Sequence, residues 1–94
     1  MKITGFIWLA HFVDKLEQKH SVESLEVEAV FDRHVLIKRV EKGHRPDEDV
    51  YAAYGQTEAG RYLVVFFVYK QDKRALIISA RDMTPTERRY YGRK

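Results

Sequence analysis

The apolar positions change their period once along the chain. Leu9, Phe12, Val13 and Leu16 recur at helical spacing, so a helix is expected over residues 9–19. A second helix is expected over 22–31, capped by Ser21 and burying Leu25, Val27, Ala29 and Val30. Its acids Glu23, Glu26 and Glu28 suit the positive N-terminal end of a helix. From Val35 onward the pattern turns to short runs rich in β-branched and aromatic residues, at 35–40, 50–54, 62–69 and 75–80. Short polar turns join them, as at Gln71, Asp72 and Lys73, and sequential strands so joined form an antiparallel meander. Residues 3–8 are a further apolar segment, suited to an edge strand, and the very polar stretch 41–49 reads as a loop. A last helix begins after residue 80: Thr84 caps it, Pro85 suits its first position, and Glu87 stands where a capping box wants an acid. The expected architecture is α+β, a two-layer sandwich. Two N-terminal helices and one C-terminal helix lie on one face of a four-stranded, mostly antiparallel sheet. The run 62–69 is apolar at nearly every position, so it is either a central strand covered on both faces or one that faces a partner.

Composition changes this picture little, and charge changes it more. The 94 residues suit a single domain over 1–94, and 45% hydrophobic with 33% charged residues is ordinary for a globular chain. Cysteine is absent, which removes disulfides, thiolate metal sites and cysteine nucleophiles and fits a reducing cytoplasm. No apolar run approaches the twenty or so residues that cross a bilayer, and the start of the chain lacks a signal-peptide layout. A soluble cytoplasmic protein without membrane association is therefore expected. The net charge of +3 is unevenly spread: residues 1–30 carry −2, residues 31–60 carry −1 and residues 61–94 carry +6. A basic C-terminal third suits a polyanion such as RNA, or an acidic protein, and is equally what a solvated basic face looks like.

Residues 75–91 are the most informative stretch. An apolar strand runs into a capped basic helix with Arg81 at the junction, which brings Arg88, Arg89 and Tyr91 beside the strand end. Together with Phe6-Ile7-Trp8, Lys19-His20-Ser21-Val22, Phe31 and Gly60-Arg61, the block Ile77-Ile78-Ser79-Ala80-Arg81 followed by Thr84, Glu87, Arg88 and Tyr91 resembles the BrnT-like toxins. These are small bacterial ribonucleases of type II toxin–antitoxin systems with a RelE-like fold, and the resemblance covers nearly the whole chain. The family typically has Gly after the histidine, where this chain has Ser21. It also commonly carries D-P-x-K-A after the first Trp, where this chain has Leu9-Ala10-His11-Phe12-Val13. The resemblance implies RNA as substrate, a BrnA-type antitoxin as partner, and DNA reached only through that antitoxin.

Metal-independent RNA cleavage by such a fold needs a base for the 2′-hydroxyl, cations for the charge growing on the phosphate, and an acid for the departing 5′-oxygen. Arg81 is the candidate for phosphate, because a guanidinium at a strand end binds two oxygens in a fixed fork. A salt bridge to a helix acid such as Glu23 or Glu87 is the alternative. His20 is the candidate general acid or base, its ordinary pKa lying near neutrality, though a histidine ending a helix can also simply cap it. Arg61, at the start of the central strand, could reach RNA phosphate as a third catalytic residue. Lys19, Arg88, Arg89 and Tyr91 are candidate RNA contacts; Arg88 and Tyr91, three apart, share a helix face. For Tyr91 the structural alternative is a ring packed over the sheet with its hydroxyl in water. His34 and His44 have no second ligand at a metal-binding spacing, so no metal is expected. No P-loop, G-x-G-x-x-G, G-x-S-x-G or H-E-x-x-H motif is present, and no cofactor is expected. A non-catalytic RNA- or protein-binding module of the same fold is the rival reading, favoured by the altered segment 9–13 and by the scarcity of acids near Arg81.

Overall fold

The structure, a computed structural model, describes residues 1–43 and 48–93; His44 and part of the polar segment 41–49 lie outside them. The chain runs β1 (Gly5–Ile7), α1 (Ala10–Lys15), a π-helical turn (Leu16–His20), α2 (Ser24–Val30), β2 (Leu36–Glu41), β3 (Val50–Gln56), β4 (Tyr62–Tyr69), β5 (Arg74–Asp82) and α3 (Pro85–Gly92). The sheet order is β1-β5-β4-β3-β2, and β2 to β5 form the expected antiparallel meander. No helix among the described residues is long and apolar enough to cross a membrane.

Four expectations are corrected. The sheet has five strands rather than four, because residues 5–7 pair in parallel with β5, Gly5 opposite Arg74 and Ile7 opposite Leu76. The open edge of β5 takes up those backbone groups, and the partner lies too far along the chain for local pattern to indicate its direction. The first helix keeps α geometry only to Lys15 and then widens into the π turn, which Ser21 ends in the left-handed region at φ 52°. The second helix starts at Ser24 rather than Val22. Glu23 is its cap, with the Glu26 carboxylate accepting from the Glu23 N–H at 3.1 Å. That start turns Val27 and Val30 inward and leaves Leu25 75% exposed, not buried.

The fourth correction concerns the layers. Alternate residues of a strand face opposite sides of the sheet. Ala53, Leu63, Val65, Phe67, Ala75, Ile77 and Ala80 form one core with Leu16, Val22, Val27 and Val30 from the N-terminal helices. Ala52, Tyr54 and Val64 face the other way and pack with Met83, Tyr62, Tyr90 and Tyr91, so α3 covers the opposite face. Both faces of β4 are covered near its start, which accounts for the apolar residues there, while Phe66, Val68 and Tyr69 further along are only half-buried. Gly55 lets α2 approach β3 closely: a Cβ there would lie 2.8 Å from Val30 Cγ1 and 2.9 Å from the Val30 carbonyl oxygen.

Candidate active site

Three groups of side chains gather where β4 begins, β5 ends and α3 starts. The first is built by the α3 cap. Thr84 accepts from the Glu87 N–H at 3.2 Å, and the Glu87 carboxylate accepts from the Thr84 N–H at 2.9 Å, the reciprocal box that the sequence pattern suggests. This holds Glu87 against Arg81, whose Nη1 and Nη2 donate to Oε1 and Oε2 at 2.6 and 2.9 Å. A bidentate charge-assisted pair of this kind stabilises the carboxylate strongly. Arg81 thereby holds the Glu87 carboxyl down to about 2. Arg81 Nη1 also donates to the Asp82 carbonyl at 3.2 Å, and the guanidinium carbon lies 5.4 Å from the Phe66 ring centroid. A guanidinium has five N–H groups. The Nε–H and one Nη2–H of Arg81 have no partner among the described residues, and its side chain is 36% exposed. Tyr54, buried beneath this pair, was not singled out by any motif. Burial raises its hydroxyl pKa first, with the nearby Glu87 charge adding to the shift.

The second group centres on Arg61. Its Nε donates to Asp82 Oδ1 at 2.7 Å and Nη2 to Asp82 Oδ2 at 3.3 Å. Its Nη1 donates to the Ser21 carbonyl at 2.8 Å and to Glu26 Oε1 at 3.1 Å, and Nη2 to the His20 carbonyl at 3.0 Å. Every N–H of this guanidinium is therefore engaged, in contrast to Arg81. Hydrogen bonds from Arg61 hold the Asp82 carboxyl below the usual carboxylate range, and the charge of the neighbouring His20 acts in the same direction. His20 is half-buried at the end of the π turn, while Lys19 beside it is exposed. Asp82 and Glu26 were absent from the sequence-based candidates. An acid directly after Arg81, on the opposite side of the strand, is the signal that could have found the first.

The third group lies along α3. The Arg88 guanidinium carbon sits 4.3 Å from the Tyr62 ring centroid, and the Tyr62 and Tyr91 rings meet edge to face at 6.3 Å. The Tyr91 ring packs over the sheet as its structural alternative held, but its hydroxyl is not left to water: it donates to the His34 carbonyl at 2.5 Å. Burial raises the Tyr91 pKa, with Tyr62 contributing. Arg89 Nη2 donates to Thr86 Oγ1 at 3.2 Å. The structure thus joins Arg61 directly to the His20 carbonyl and to Asp82, and places Arg81 with Glu87 on the other side of the same strand end. Arg88, Arg89 and Tyr91 line a groove next to them. No group of three or more His, Asp or Glu side chains suited to a metal forms among the described residues.

Comparison with known proteins bears on what this site is. No curated protein matches the chain by sequence. The fold is similar to the crystal structure of the Brucella abortus ribonuclease toxin BrnT, with a TM-score of 0.60 at 16% identity, over 88% of this chain and 99% of that one. The family described as "Ribonuclease toxin, BrnT, of type II toxin-antitoxin system" matches residues 10–87, a span that includes His20, Arg61, Arg81 and Glu87. The chain belongs to the BrnT family of type II toxin–antitoxin ribonuclease toxins.

Proposed function

We propose that the chain is an endoribonuclease toxin that cleaves RNA without metal. The 2′-hydroxyl attacks the adjacent phosphorus and the 5′-oxygen leaves, giving a 2′,3′-cyclic phosphate and a 5′-hydroxyl. The observation that carries this reading is the open Nε/Nη2 edge of Arg81 at the end of β5, in a chain of this family. With Glu87 held on the end of the guanidinium, the side edge offers a second fork to two phosphate oxygens. His20 moves the proton, as base for the 2′-hydroxyl or acid for the 5′-oxygen. Arg61 has no N–H left for phosphate, so its part is to hold the His20–Ser21 carbonyls and Asp82 in place. Lys19, Arg88 and Arg89 add positive charge for the RNA backbone. An antitoxin of BrnA type holds the activity in check in the cytoplasm, and DNA is reached only through it.

Induced expression of the wild type and of Arg81→Ala in a bacterial host, with growth and RNA ends followed together, tests this. Growth arrest and cyclic-phosphate ends from the wild type alone are expected, and cleavage by the purified protein should survive chelation of divalent metals. A folded Arg81→Ala variant that still arrests growth at equal expression would refute the assignment. A specific observation favours a second reading: Arg61 and Arg81 are both already paired with carboxylates. A non-catalytic RNA- or protein-binding module would tolerate that pairing, and it would leave RNA intact in both strains.

A further inference from the structure

Along α3, where Arg88 directly follows the Glu87 that holds Arg81, Gln56, Tyr62, Pro85, Arg88, Arg89 and Tyr91 line an open groove of about 410 Å³. That is within the size range of small-ligand sites, and its lining holds two arginines and no acid. An exposed arginine over a tyrosine is commonly no more than a surface contact. Here the contact is built from below. The Tyr91 hydroxyl is tied to the His34 carbonyl, the Tyr91 ring braces the Tyr62 ring, and Tyr62 carries the Arg88 guanidinium 4.3 Å from its centroid. Arg88 has no acidic partner among the described residues, so nothing but the ring orients it. Gln56 donates through Nε2 to the Gly60 carbonyl at 3.2 Å, which leaves its side-chain oxygen as an acceptor at the groove.

We infer that this groove is a nucleobase subsite for single-stranded RNA, in which an unpaired base stacks on the Arg88–Tyr62 platform next to the phosphate at Arg81. Single-stranded RNA is bound by stacking on aromatic rings and guanidinium planes, together with cations for the backbone. A folded duplex would not present a base to such a groove. The subsite rests on RNA being the ligand, as proposed above, and assigns Tyr62 and Gln56 a part that cleavage chemistry does not require.

The test uses a short 2′-O-methyl oligonucleotide carrying 2-aminopurine, which cannot be cleaved and whose fluorescence falls on stacking. The wild type should bind it with quenching. Arg88→Ala should bind about 5- to 100-fold more weakly. Arg88→Lys, which keeps the charge and loses the plane, should lose the quenching and most of the affinity. Tyr62→Phe should bind like the wild type. Quenching and affinity unchanged in Arg88→Lys would overturn the subsite, leaving Arg88 a point charge. So would equally tight, unquenched oligonucleotide binding by every variant. Cleavage of ordinary RNA is measured in parallel. Quenched binding without cleavage supports the subsite and sinks the ribonuclease reading; cleavage without quenching overturns the subsite alone.

Discussion

Arg61 and Arg81 carry the same group at the same end of the sheet, yet all five N–H groups of Arg61 are engaged and only three of those of Arg81 are, among the described residues. Arg61 joins β4, β5, α2 and the π turn through two carboxylates and two carbonyls. Removing it strands the partly buried Glu26 carboxylate and two backbone carbonyls, and frees the exposed Asp82 into solvent. Arg61→Ala should therefore lower unfolding free energy by about 1–3 kcal/mol, the exposed bond to Asp82 contributing least. Arg61→Lys should recover only part of this, since an ammonium cannot reproduce the two-pronged bond to Asp82. Urea unfolding of the three proteins measures it, and a loss below about 0.5 kcal/mol in Arg61→Ala would show that the network is incidental. The types of these residues were legible in the sequence. Their partners were not, because Arg61 meets residues 21 and 35 positions away, which no local spacing encodes.

At the scale of elements, the turn between the π segment and α2 sits in a conformation that its residue does not favour. Ser21 adopts φ 52° and ψ 40°, in the left-handed region where a side chain is strained and glycine is not. Ser21→Gly should stabilise the protein by about 0.5–1 kcal/mol, the relieved strain exceeding the extra entropy of glycine in the unfolded chain. Thermal unfolding checks the sign, and a lowered midpoint would show that the Ser21 side chain matters more than its backbone. The start of α3 was legible to the residue because capping is local: Thr84, Pro85 and Glu87 act within one turn. The start of α2 was misjudged because Ser21 is by type the better cap, but it is taken up in ending the π turn in the left-handed region, which moves the extended cap position on to Glu23.

For the whole molecule, the paired carboxylates govern stability in acid. Glu87 has its pKa lowered from 4.5 to about 2 when folded, so its stabilising effect is fully present above pH 4.5 and is lost as pH falls toward 2. Asp82 shifts in the same direction. The pair at Arg81 is partly exposed and screened by solvent, so its contribution is about 1–2 kcal/mol, less than the shift alone implies. Stability should be flat above about pH 5 and fall below it, and Glu87→Gln should flatten that fall by about the same 1–2 kcal/mol. Unfolding curves between pH 2 and pH 7 test this; an unchanged acid limb in Glu87→Gln would remove the pair from the account. Tyr54 belongs to this scale too, since only the fold places its hydroxyl near Glu87 and Arg81.

What the amino-acid order determined by itself was whatever depends on neighbours within a turn or a pleat. That covers the helix-to-strand change of period, the meander, the α3 cap, the basic C-terminal third and the residues that resemble a ribonuclease toxin. Tertiary structure decided the rest: β1 in parallel with β5, α3 on the face opposite α1 and α2, and an Arg61 fully engaged while Arg81 keeps an open edge. Each of these depends on contacts between residues far apart in the chain, and such contacts are selected by packing and charge across the whole fold rather than by periodicity along it.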